Sequence, residues 1–185
     1  MYRLLVATLM AGMVALSPAS ATSVVRFSFD SLCENSVRIA HVICVETEPV
    51  ITDDGVRTRT LFRVIEGVKG DASREIEIAL PGGQIGAKHV MVAGIPTFTA
   101  GRETVIFLTG PDGSGSPWPI GLGQGCYRVV TDETEGRSVH FQRGMTPIPE
   151  GVLFKPTSAG VHRVDLRSFL DKVRETVALP SEEVK

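Results

Sequence analysis

The 185-residue chain is poor in the residues that announce a chemistry. It has four histidines, three cysteines, one tryptophan and only 6% aromatic residues. No two of His41, His89, His140 and His162 stand at metal-ligand spacing, and neither H-E-x-x-H nor C-x-x-C occurs, so no metal site is expected. There is no G-x-S-x-G elbow and no phosphate loop, so neither a hydrolase elbow nor a nucleotide cofactor is indicated. Asp112-Gly113-Ser114-Gly115-Ser116 lacks the alternating acids and terminal Glu of a calcium loop. Asp53-Asp54 falls in a turn, where solvation explains both carboxylates. No catalytic residue, cofactor or metal ligand is therefore assigned. An excess of positive charge is missing too: 19 Lys and Arg face 21 Asp and Glu, which argues against a nucleic-acid partner. The single asparagine, Asn35, precedes Ser36-Val37 and forms no glycosylation sequon.

What is present begins with an export signal. Arg3 supplies a positive start, and Leu4 to Leu16 is a run of 13 residues with no charge. Ser17-Pro18 breaks it, and Ala19-Ser20-Ala21 offers a small-x-small cleavage site. The run is shorter than the roughly 20 apolar residues a spanning helix needs. Residues 1–21 thus read as a signal peptide cleaved before Thr22, and no cysteine follows at once to carry a lipid. The mature product is expected to be soluble and secreted or periplasmic. Its 164 residues suit one domain with a real core. Fourteen arginines against five lysines fit a GC-rich, bacterial coding bias.

Export favours disulfides, yet the cysteines are Cys33, Cys44 and Cys126, an odd count. Cys33–Cys126 is the expected pair, with Cys44 as the alternative partner. Cys44 also fits a small buried hydrophobe in a strand.

The mature chain patterns mainly as strands. Asp30 to Glu34 reads as a helical turn capped by Asp30. Val37 to Val45 reads as a strand with Val37, Ile39, His41, Ile43 and Val45 on one face and Ala40, Val42 and Cys44 on the other. Thr52-Asp53-Asp54-Gly55 is a turn. Arg57 to Ile65 and Glu75 to Leu80 alternate and pair as a hairpin. Arg57, Arg59 and Arg63 face outward toward glutamates, a charge ladder rather than an anion site. Short strands follow at Lys88 to Val92, Glu103 to Thr109, Cys126 to Thr131 and Ser138 to Gln142. Between them, Gly110 to Gly125 holds six glycines and three prolines, which block a helix and resist pairing. Trp118 sits in this loop and is the candidate binding residue, since loops on a rigid sheet carry recognition and tryptophan dominates hot spots. Asp165 caps a final helix whose Leu166, Phe169, Leu170, Val173 and Val177 share one face. Residues 180–185 read as a flexible tail after a domain spanning 22–179.

Phe62-Arg63-Val64-Ile65-Glu66-Gly67-Val68-Lys69-Gly70, Leu80-Pro81-Gly82-Gly83, Gly94-Ile95-Pro96-Thr97-Phe98, Gly101-Arg102-Glu103 and Val105-Ile106-Phe107-Leu108 resemble a group of bacterial secreted proteins. Their barrel is similar to the oligonucleotide/oligosaccharide-binding (OB) type used by tissue inhibitors of metalloproteinases and netrin-like modules. The resemblance covers residues 32–142 and implies a small, partly open, OB-like β-barrel, here followed by an α-helix. That inhibitor family places a cysteine at its mature N-terminus. This chain has Thr22 there, and its first cysteine comes 11 residues later, so the resemblance transfers no functional residue.

The sequence therefore points to an exported, non-enzymatic binding or inhibitor-like module recognising an extracellular or periplasmic protein. Two alternatives stand beside it: a secreted hydrolase with dispersed catalytic residues, and an envelope structural protein. A histidine meeting a Ser, Cys or carboxylate in a cleft is the mark of the first.

Overall fold

The computed structural model describes residues 25–141, 145–153, 155–156 and 162–179. The expected signal peptide and the 180–185 tail lie outside the described residues. The fold is mainly β with a C-terminal helix, as the alternation predicts. A short helix α1 (Phe29–Asn35) leads into β1 (Arg38–Thr52), β2 (Gly55–Lys69), β3 (Glu75–Pro81), β4 (Gly83–Ile85) and β5 (Lys88–Val90). Then come β6 (Glu103–Leu108), a 3-10 turn (Leu122–Gly125), β7 (Cys126–Asp132), β8 (Gly136–Phe141), β9 (Lys155–Pro156), β10 (His162–Asp165) and α2 (Leu166–Ala178).

Eight strands form one antiparallel sheet in the order β3-β2-β1-β6-β7-β8-β10-β9, while β4 and β5 make a separate hairpin. The end strands β3 and β9 do not pair, so the barrel is not closed. The exposed edge of β3 is partly covered: Ser116 Oγ accepts from the Ala79 N–H at 2.9 Å, a common way of blunting an edge.

The sheet is buried on both faces. On one face, α1 and α2 lay Phe29, Leu32, Phe169, Leu170 and Val173 over Ile39, Phe107, Tyr127 and Phe141. On the other, Val42, Phe62, Ile78 and Ile106 pack beneath Ile95, Phe98 and Trp118 from the loops. This explains why β1 and β6 are apolar on both sides. The inward residues Ile76, Ile78 and Leu80 of β3 follow the period-two pattern.

Four details differ from the sequence pattern. The β1–β2 register shifts between Cys44 and Glu46, and this bulge turns Val45 out, leaving it 43% exposed. Val37 lies just before β1 and is exposed as well. Helix α1 starts one residue early, and its cap is Ser28, whose side chain accepts from Ser31 N–H; Asp30 sits in the first turn. Strand β10 is too short to signal itself in the sequence, yet it places Val164 in the core.

Asp165 does cap α2, accepting from the Ser168 N–H at 3.0 Å. Asp165→Ala is expected to cost about 1 kcal/mol. An unchanged midpoint in chemical denaturation would show that the cap carries no stability.

Candidate functional site

The end of β6 near Arg102 is clamped to β1 by two backbone bonds. Cys44 N–H donates to Arg102 O at 2.9 Å, and Gly101 N–H donates to Cys44 O at 2.8 Å. The β6–β7 register sets Thr104 opposite Arg128. Alternation carries Arg102, one residue before β6, to the face of Thr104. Arg102 and Arg128 are then diagonal cross-strand neighbours, a relation that spaces positions by roughly 7–8 Å.

Beside them the Gly94–Thr99 loop forms a wall. Its ends are fixed by Gly123 N–H donating to Gly94 O at 3.1 Å and by the edge-on contact of Phe98 with Phe62, centroids 4.9 Å apart. The 3-10 turn behind it is pinned by a close approach, since a Cβ on Gly125 would lie 2.6 Å from Ile120 O. The result is a cleft of about 620 Å³ lined by this loop, Cys44, Arg102, Glu103, Thr104, Gly123, Cys126, Arg128 and Met145.

The electrostatics of this cleft are lopsided. Arg102 and Arg128 are exposed, and among the described residues neither has an ion-pair partner. The one carboxylate in the lining, Glu103, faces two other groups: His41 at 2.9 Å and Arg137 at 3.8 Å. Next to Arg128 in register stands His140, whose pKa is lowered by burial and by Arg128 and Arg163. Two guanidiniums without a carboxylate on an otherwise mildly acidic chain make a local anion attractor.

A second cleft, of about 570 Å³, shares Gly94, Gly123 and Met145 with the first and continues along Phe27, Leu122, Thr146 and Ile148. Gln124 holds the N-terminal strand beside it: its Oε1 accepts from Phe27 N–H at 3.0 Å, and its Nε2 donates to Val25 O at 2.8 Å. The two clefts adjoin as one groove, with Arg102 and Arg128 at one end and a mainly apolar lining, bordered by the exposed Arg26, at the other.

His41 lies 1% exposed on β1 and lines a cleft on the helix side of the sheet, with Glu66, Arg137 and Arg174. Its pKa is lowered by burial, against the raising effect of Glu103. This histidine–carboxylate pair is the arrangement a dispersed hydrolase calls for. Among the described residues, however, the lining of that cleft contains no Ser, Thr or Cys to serve as nucleophile. His140 Nε2 meets Ser138 Oγ at 3.2 Å, and among the described residues no carboxylate hydrogen-bonds the ring to orient it. His89 and His162 are exposed on β5 and β10.

The expected disulfide does not form: Cys33, Cys44 and Cys126 are all free. Cys33 belongs to the helix-side core, whereas Cys44 and Cys126 pack on the opposite face. The alternative pair fails on register. Cys44 is level with Arg102 and Cys126 with Ile106. Four residues along a strand separate them by about 13 Å, beyond disulfide reach. Burial pushes the Cys33 thiol up to about 12 and also raises those of Cys44 and Cys126, so none is a ready nucleophile.

Trp118 is half-buried against the core beneath its loop. Its Nε1–H donates to Asp112 Oδ2 at 2.8 Å, and Arg57 lies 6.0 Å from the ring centroid. The hydrogen bonds of Ser114 and then Trp118 draw the Asp112 pKa down to about 2. Trp118 is not among the side chains lining the groove. The outward arginines of β2 form a ladder with carboxylates: Arg59 pairs with Glu48 of β1, Arg57 with Asp54, and Arg63 stands opposite Glu75. Pattern reading passed over Arg102 and Arg128, although Arg128 is the outward residue between the inward Tyr127 and Val129.

No protein-family model, curated protein or solved structure matches this chain.

Proposed function

We propose that the chain is an exported, soluble, non-enzymatic module that recognises an extracellular or periplasmic protein through the groove beside β6 and β7. The observation that carries this reading is the pair Arg102 and Arg128, two arginines without acidic partners among the described residues, set in a walled groove. Like charges left this close are tolerated at a surface and favour a ligand that brings the opposite sign. The export signal supports a partner outside the cytoplasm. Among the described residues, no helix is long and apolar enough to cross a membrane.

The test compares wild type with Arg128→Glu as bait in an extracytoplasmic fraction. Arg128 is exposed, so the variant is expected to fold. Charge reversal should weaken capture by about 10-fold or more, as expected for like-charge juxtaposition, and added salt should weaken the wild type. Equal capture by both proteins, or capture of nothing, overturns the reading. The rival hydrolase draws on His41 and Glu103 and predicts turnover that His41→Gln abolishes.

A further inference from the structure

Resting on that reading, we infer that the groove takes an extended peptide segment of the partner with acidic residues at one end and large apolar residues at the other. The acidic residues lie between Arg102 and Arg128, and the apolar ones lie over Met145, Leu122 and Ile148. Three observations lead there.

The first is continuity. The cationic and apolar clefts share Gly94, Gly123 and Met145, so one extended ligand reaches from one into the other by passing over the bonded Gly94–Gly123 backbone and Met145. The second is charge complementarity: the only carboxylate among the described residues lining the groove, Glu103, is already engaged by His41 and Arg137. The third is the exposure of the apolar end. Met145 is 42% and Ile148 46% exposed, and large apolar side chains rimmed by polar groups mark interaction surfaces.

The polar groups between the two ends favour a peptide over a fatty acid. Thr97, Thr99 and Thr104 line the cationic cleft. Hydroxyls spread along a groove match the repeating donors and acceptors of an extended backbone. An alkyl chain offers them nothing and leaves them desolvated. Thr104, a largely buried residue opposite Arg128, is placed to assist the guanidiniums in holding a carboxylate.

The experiment uses the exported protein and four fluorescent probes of similar length. One is a peptide with adjoining Asp/Glu and Leu/Phe halves; the others are an all-acidic peptide, an all-apolar peptide and a labelled fatty carboxylate. The mixed peptide should bind at least about 10-fold more tightly than any other, the usual return for adding one well-filled apolar contact to a charge contact. Arg128→Glu and Ile148→Asp should each weaken it by a similar factor, and both sites are exposed. Equal binding of the all-acidic peptide reduces the site to a charged patch and overturns the inference, as does preference for the fatty carboxylate. If no probe binds while Arg128 still governs capture of the partner, this inference fails and the proposed function stands. If capture itself is independent of Arg128, the proposed function fails first.

Discussion

Replacing Phe169 with Ala is expected to cost the domain about 3–5 kcal/mol, the range for removing a buried aromatic ring. Phe169 is 0% exposed on the inner face of α2. Its ring meets Phe29 of α1 at 5.7 Å, Tyr127 of β7 at 4.9 Å and Phe141 of β8 at 5.9 Å, centroid to centroid. These walls belong to two helices and a paired sheet, so they cannot all move inward to fill the gap. The cavity contribution therefore adds to the lost burial. Because small domains are stable by only about 5–15 kcal/mol in total, the variant should sit near its folding limit. The effect reaches the groove as well. Tyr127 O–H donates to Pro147 O at 2.9 Å and so anchors the Met145–Ile148 segment that forms the apolar end. Denaturation with urea measures the loss, with Phe169→Leu as a milder control. A loss below about 1 kcal/mol, the value of an ordinary surface-like change, would show that α2 is not keyed to the sheet by this ring.

Much of that core was legible beforehand. Leu166, Phe169, Leu170 and Val173 recur at helical spacing behind a capping Asp, and all four are buried. Ile76, Ile78 and Leu80 alternate, and they point inward. Such periodicities survive because each residue's environment is set by its own element. The failures share the opposite cause. Val45 turns outward because a bulge inserts one residue into β1, and the pairing that creates a bulge lies on another strand. Ser28 rather than Asp30 caps α1 because the burial of Phe29 pulls the cap back by two residues.

The groove was less legible than the fold, for a physical reason. Arg102 and Arg128 are 26 residues apart in sequence, and only the β6–β7 register makes them diagonal neighbours. The arginines that cluster in sequence, at 57, 59 and 63, mostly find carboxylates in space. Local density of charge therefore misled, while the unpaired charges came from separate segments. The cysteines show the same limit. The expectation of export made Cys33–Cys126 reasonable, but the sheet puts the two on opposite faces. Sequence order does not tell which side of a sheet a helix will cover.

The second large effect is expected at Glu103. Glu103→Ala strips His41 of its hydrogen bond in a site where the imidazole is 1% exposed. Losing a buried bond to a charged group costs about 1.5–3 kcal/mol. Glu103→Gln keeps a polar partner and should cost less, but it removes the negative charge that opposes the effect of burial on His41. The His41 pKa, already below its ordinary 6.5, should then fall further, as a ring-proton titration by NMR will show. A rise would overturn the assignment. The sign for stability follows from linkage. A histidine with a folded pKa below its unfolded value favours the native state above about 6.5, and that contribution is lost as the pH falls through 6.5 toward the folded pKa. His140, also lowered, acts in the same direction. The wild type should thus be less stable at about pH 5 than at about pH 8, and the drop should deepen in Glu103→Gln. Recognition should move the other way. Among the described residues Glu103 is the only acid lining the groove, so removing its charge leaves Arg102 and Arg128 a stronger field for an acidic peptide. A Glu103→Gln protein that is less stable yet binds the mixed peptide as well as or better than wild type would separate the two roles. Weakened binding by a folded variant would mean that Glu103 itself contacts the ligand.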